Sequence, residues 1–129
     1  MTEIRLEHAF LYVASVERSL AFYRALLPGW GIRWSGDNGS GGAWVHFGPP
    51  DRPGELQPSY LSLCDAPADH RPADAAIAHL GFAHPDVDAL AARLEAAGHA
   101  PTDRIDDGRY RRAYFADPDG HELEFVQRL

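Results

Sequence analysis

Side chains able to bind or transfer protons recur at alternate positions along the apolar segments of this chain, each opposite an aliphatic neighbour. In Leu6–Val13, His8, Phe10 and Tyr12 share one face and Ala9, Leu11 and Val13 the other, because successive residues of a strand point to opposite sides. The same alternation sets Trp44 and His46 against Val45 and Phe47, and Tyr60, Ser62 and Cys64 against Leu61 and Leu63. It sets His79 and Gly81 against Leu80 and Phe82, Arg112 and Tyr114 against Ala113 and Phe115, and Glu124 against Leu123 and Phe125. One set of faces suits packing under helices. The other gathers imidazoles, phenols, a guanidinium and a carboxylate among aromatic rings, the make-up of a small-molecule pocket. Tyr114, Tyr60 and His46 are the candidates for acid–base work or substrate hydrogen bonding, and Arg112 for holding an anionic substrate group. Phe10, Tyr12, Trp44, Tyr60 and Ser62 are expected to line the pocket. Nothing beside Cys64 marks it as a nucleophile.

These faces must be held by elements, and the punctuation of the chain places them. Ser15 is an N-cap, Val16, Leu20, Tyr23 and Leu27 follow at helical spacing, and Pro28-Gly29 stops the helix. Strands are expected over Gly31–Trp34, Ala43–Phe47 and Ser59–Cys64, separated by a turn at residues 37–42 and a loop at residues 49–54. An Ala-, Asp- and Pro-rich linker over residues 66–76 follows. The pattern then restarts, with a strand over Ile77–Ala83 and Asp86 as a second N-cap. Val87, Leu90 and Leu94 form an apolar stripe, and Gly98 is a helix stop. Strands are expected over Ala100–Ile105, Arg111–Ala116 and His121–Gln127. In Asp117-Pro118-Asp119-Gly120, an Asp that can bond the following backbone, a Pro that pre-sets φ and a closing Gly suit a type I turn. Setting His8 on His79 also sets Ser15 on Asp86 and Val16 on Val87, so the chain is an internal repeat. A unit of about fifty to sixty residues is long for a solenoid and suits a pseudo-symmetric pair.

Bulk properties narrow the function classes. A chain of 129 residues with 45% hydrophobic residues is one domain with a real core. A net charge of −7 argues against a nucleic-acid partner, which needs a basic surface. No stretch approaches the ~20 apolar residues that span a bilayer, so no membrane partner is expected. Met1–Arg5 lacks the cationic start of a signal peptide, and Cys64, the sole cysteine, cannot form an internal disulfide. A cytoplasmic location is the expectation.

The chain resembles the vicinal oxygen chelate superfamily, which includes glyoxalase I, bleomycin-resistance proteins, fosfomycin-resistance proteins and extradiol dioxygenases. Four features carry the resemblance: His8, Ser19-Leu20-Ala21-Phe22-Tyr23, His79-Leu80-Gly81-Phe82, and the closing run Asp117 to Phe125. It implies an α+β fold over residues 1–129, with one module over about residues 1–65 and a second over about 77–129. Each module would be a βαβββ unit of a cupped mixed sheet, with helices on its convex side. It further implies a homodimer, which would cover Trp30, Trp34 and Phe10, with the pocket closed within one chain or between two. His8, His79 and Glu124 match the metal-ligand positions, and imidazole and carboxylate suit a divalent first-row ion. Fe2+ is the first choice, with Mn2+, Ni2+ or Zn2+ as alternatives. The residue symmetric with Glu124 is Ser62, where glyoxalase I-like members supply another carboxylate. Two His and one carboxylate resemble instead the sites of extradiol dioxygenases and fosfomycin-modifying enzymes. The implied function is metal-dependent chemistry, lyase-like or dioxygenase-like, on a small oxygen-rich substrate. The alternative is metal-free, drug-sequestering binding like that of the bleomycin-resistance members.

Overall fold

The computed structural model describes residues 6–52, 58–69 and 79–129. Part of the expected loop (residues 53–54), most of the expected linker (70–76) and the first two positions of the expected fifth strand (77–78) lie outside the described residues. The chain divides into two compact units, Met1–Asp74 and Ala75–Leu129.

The first unit runs β1 (His8–Val13), α1 (Val16–Leu26), β2 (Gly31–Asp37), β3 (Ala43–Gly48) and β4 (Tyr60–Asp65). Its four-stranded sheet has the order β1-β4-β3-β2, with β1 parallel to β4 and the other pairs antiparallel. The second unit runs β5 (Leu80–Ala83), α2 (Val87–Ala96), β6 (Asp103–Asp106), β7 (Tyr110–Ala116) and β8 (Glu122–Arg128). Its sheet has the order β5-β8-β7-β6, again with one parallel pair, β5 with β8. The architecture is α+β, two βαβββ modules with open mixed sheets.

In each unit the helix covers the aliphatic face of its own sheet. Leu11, Val13, Val45, Phe47, Leu61 and Leu63 are buried in the first; Ala113, Phe115, Leu123 and Phe125 are buried in the second. Of the expected α1 stripe, Val16, Tyr23 and Leu27 are buried and Leu20 is only half-buried. Ser19, Phe22 and Leu26 are buried beside them, which widens the apolar face toward the strands. The stripe on α2 is as expected, with Val87, Leu90 and Leu94 buried together with Ala91.

Both caps form. Ser15 Oγ accepts from Arg18 N at 3.2 Å, and Asp86 Oδ1 from Ala89 N at 3.0 Å. Gly98, at φ 93°, ends α2 in the left-handed conformation, and His99 N donates to Leu94 O at 2.8 Å. The symmetry extends one step beyond the caps. Val16 N donates to Asp65 Oδ1 at 2.8 Å, and Val87 N to Gln127 Oε1 at 2.9 Å. In each unit, then, the end of the last strand ties down the start of the helix, satisfying an amide that the helix cannot.

Several strand limits move. β2 extends to Asp37, β6 begins at Asp103, and His79 stands just ahead of β5. The pairing of β2 with β3 slips between Ile32 and Trp34, so Arg33 sits at a bulge. The β7–β8 turn forms as its sequence requires: Gly120 N donates to Asp117 O at 3.0 Å, and Asp117 Oδ1 accepts from Asp119 N and His121 N at 2.9 and 2.8 Å.

Candidate functional site

The register aligns the chemistry-bearing residues in rows. In the first unit Phe10, Ser62 and His46 are neighbours across β1, β4 and β3. In the second, Gly81, Glu124 and Tyr114 are neighbours across β5, β8 and β7. Ser62 and Glu124 are therefore equivalent, and so are His46 and Tyr114, each directly across a strand pair from the potential ligand position.

In the second unit a cluster forms around Glu124, whose side chain is 13% exposed. Its Oε1 accepts from Tyr114 OH at 3.1 Å and lies 3.3 Å from Arg112 Nε, while its Oε2 lies 3.0 Å from His79 Nε2. Burial, then the hydrogen bond to Glu124, pushes the Tyr114 phenol above its ordinary pKa. Arg112 also holds Asp107 Oδ2 at 3.0 Å, lies 5.0 Å over the Tyr110 ring, and has its guanidinium pKa raised chiefly by the Asp107 bond. The candidate anion-binding arginine is thus already neutralised by two carboxylates.

In the first unit the aromatic residues form a ladder. His8 stacks on Tyr60 at 5.1 Å, Tyr60 packs on His46 at 4.6 Å, and His46 on Trp44 at 5.1 Å. Arg33, turned over the sheet by its bulge, lies 5.1 Å over the Tyr60 ring. A cleft of about 450 Å³ opens on this face, lined by His8, Phe10, Trp44, His46, Tyr60 and Ser62 together with Asp37, Asn38 and Cys64. Tyr12 packs edge-on against Phe10 at 5.0 Å rather than lining the cleft. Burial first, then the neighbouring His8 and Arg33, hold His46 below the ordinary imidazole pKa and so favour its neutral, proton-accepting form. Burial first, then Glu7, pushes Tyr60 upward. The Cys64 thiol is raised by burial and by Asp65, which suits an inert cysteine.

Thus the structure brings His79, Glu124, Tyr114 and Arg112 together in one unit, and His8, His46, Tyr60, Trp44, Phe10 and Ser62 in the other. The sequence reading missed Glu7, Arg33, Asp37 and Asn38. Arg33 lies on a bulge that alternation does not register, Glu7 precedes the strand, and Asp37 and Asn38 belong to what reads as a turn.

The donor chemistry can be tested against a divalent ion. His79 Nε2 and Glu124 Oε2, an imidazole nitrogen and a carboxylate oxygen of the kinds that bind divalent first-row ions, lie 3.0 Å apart, the distance of an ion pair. Tyr114 and Arg112 hold one carboxylate oxygen and leave the other directed at the imidazole, as outer partners of a ligand do. These donor types suit a divalent ion. Among the described residues no group of three His, Cys, Asp or Glu side chains is gathered as a ready-made site, and no helix is long and apolar enough to cross a membrane.

Residues 5–125 match the model of the Glyoxalase/Bleomycin resistance protein/Dioxygenase superfamily. Among solved structures, TnmS3, an antibiotic binding protein from Streptomyces sp. CB03234, is 25% identical, with 100% of this chain and 99% of that one covered at a TM-score of 0.76. A glyoxylase/bleomycin resistance protein/dioxygenase domain from Frankia sp. EAN1pec is 20% identical, with 99% and 100% covered at a TM-score of 0.78. The trypanothione-dependent glyoxalase I of Leishmania major is 24% identical, with 97% and 87% covered at a TM-score of 0.73. Both of these show the shared fold. No curated protein matches the chain.

Proposed function

The chain belongs to the Glyoxalase/Bleomycin resistance protein/Dioxygenase superfamily, and from that premise we propose that it is a metal-dependent enzyme acting on a small, oxygen-rich substrate. The observation that carries this reading is the convergence of His79 Nε2 and Glu124 Oε2 at 3.0 Å. The donors would be these two and His8. Fe2+ is the first choice and Mn2+, Ni2+ or Zn2+ the alternatives. When bound, such an ion supplies Lewis acidity toward substrate oxygens or brings a substrate and O2 together.

The chain's own residues have separate tasks. Tyr114 and Arg112 orient Glu124, and the Tyr114 hydroxyl, held protonated by burial, is a hydrogen-bond donor. His46, biased toward its neutral form, is a proton acceptor on the aromatic face. Trp44, Tyr60 and Phe10 present ring surface to an apolar or aromatic portion of the ligand. The reaction would be lyase-like or dioxygenase-like.

A second reading is metal-free ligand sequestration. It is favoured by the Arg112–Glu124 ion pair, which neutralises the carboxylate without an ion, by Ser62 in the place of a second carboxylate, and by the similarity to an antibiotic binding protein. Elemental analysis of protein purified without chelator separates the two readings. About one divalent ion per chain is expected; metal-free protein that also fails to take up Fe2+, Mn2+, Ni2+ or Zn2+ on titration establishes the second reading instead.

A further inference from the structure

The His8 ring is constrained in two ways. Stacking on Tyr60, with ring planes 14° apart, fixes the plane of the imidazole. A hydrogen-bond contact fixes its edge, since His8 Nδ1 lies 3.0 Å from Glu7 Oε1. The same Glu7 oxygen accepts from Tyr60 OH at 3.2 Å. Glu7 is itself held by its backbone, because Tyr60 N donates to Glu7 O at 3.0 Å and Ser59 Oγ bonds the neighbouring Leu6 O. A carboxylate has no proton to give, so the ring nitrogen facing it must carry one. In a neutral imidazole the other nitrogen, Nε2, then has the free lone pair. Among the described residues, none takes a hydrogen bond at Nε2.

We propose that Glu7 is the positioning residue of His8, selecting its Nδ1–H tautomer so that Nε2 is presented as a lone-pair donor. This rests on the metal reading above only for its purpose, because an imidazole ligand held by a carboxylate at its far nitrogen arrives at an ion already in the correct tautomer. Among the described residues, the second unit shows no such arrangement. His79 meets its carboxylate through Nε2, and the position that corresponds to Glu7 is Ala78. Glu7 is therefore a device of one module and not of the repeat.

The test uses the full chain, stripped with chelator, at a pH above the ordinary imidazole range. Nitrogen NMR of the histidine rings reports the tautomer, with the His8 signals assigned by their loss in His8→Asn. His8 is expected as Nδ1–H in the parent and in Glu7→Gln, which keeps an oxygen acceptor, and shifted toward Nε2–H in Glu7→Ala. The Glu7 side chain is 58% exposed, so the fold tolerates both changes. An Nε2–H tautomer in the parent, or an unchanged tautomer in Glu7→Ala, overturns the proposal. Zn2+ titration of the same proteins is expected to show ~10–100-fold weaker binding in Glu7→Ala. If the tautomer shifts as stated while Zn2+ binds neither protein, Glu7 keeps its role and the metal reading falls.

Discussion

Glu124 and Ser62 occupy equivalent rows of two related sheets, yet only Glu124 can carry a charge. Glu124 is the sole carboxylate among the proposed ligands. Glu124→Gln should therefore weaken divalent-metal binding sharply, whereas Ser62→Ala should leave it unchanged and Ser62→Glu, by adding a carboxylate at the equivalent position, should strengthen it. Metal titration of the three variants decides this; parent-like binding by Glu124→Gln would reject the ligand assignment. Face assignment is tested in the same way, residue by residue. Phe125 is fully buried against Phe82 and Phe115, so Phe125→Ala should cost ~3–5 kcal/mol through the cavity it leaves. Leu80, on a short edge strand and only half-buried, should cost less. Phe10 is 49% exposed, so Phe10→Ala should change ligand binding more than the melting temperature. Calorimetry showing the reverse order would invert the two faces.

At the scale of elements, each sheet is joined to its helix by a side chain from the far end of the chain segment. Asp65 does more than its counterpart Gln127, because its second oxygen also accepts from Ala43 N at 2.8 Å. Asp65→Ala strands two backbone amides and Gln127→Ala one, at about 1–3 kcal/mol for each amide left buried. Denaturant unfolding should rank Asp65→Ala as clearly the more damaging. The β6–β7 turn gives a pH signature. Asp107 accepts from Arg109 N, Tyr110 N and the Arg112 guanidinium, which together lower its pKa from 3.8 to about 2. A carboxyl depressed in the folded state adds stability above its unfolded pKa and loses it as pH falls through the folded value. Thermal melts between pH 3.8 and about 2 should therefore fall more steeply for the parent than for Asp107→Asn. Equal slopes would remove the turn from the acid response.

For the whole molecule, we predict a homodimer. Trp34 is 68% exposed and Phe10 49%, more aromatic surface than a chain of 129 residues needs to leave in water. Trp30, also expected to contribute, is instead half-buried and packs on Phe47 at 5.9 Å. Sedimentation at micromolar concentration should give the dimer mass, and a monomer there would reject it. The sequence by itself determined what depends on neighbours in the chain. A strand's period of two set the buried faces of Val45, Phe47, Leu123 and Phe125; the local chemistry of Ser15, Asp86, Gly98 and Asp117 set the helix ends and the closing turn. The internal repeat was visible for the same reason, since its markers are local residues at a common offset. Only the tertiary structure decided which groups meet over long stretches of chain: Asp65 with Val16 and Ala43, Arg33 over Tyr60, Arg112 between Asp107 and Glu124. Such pairs depend on strand order, on a bulge and on the reach of long side chains. None of these has a period along the sequence, because each is fixed by the register of strands that come together only on folding.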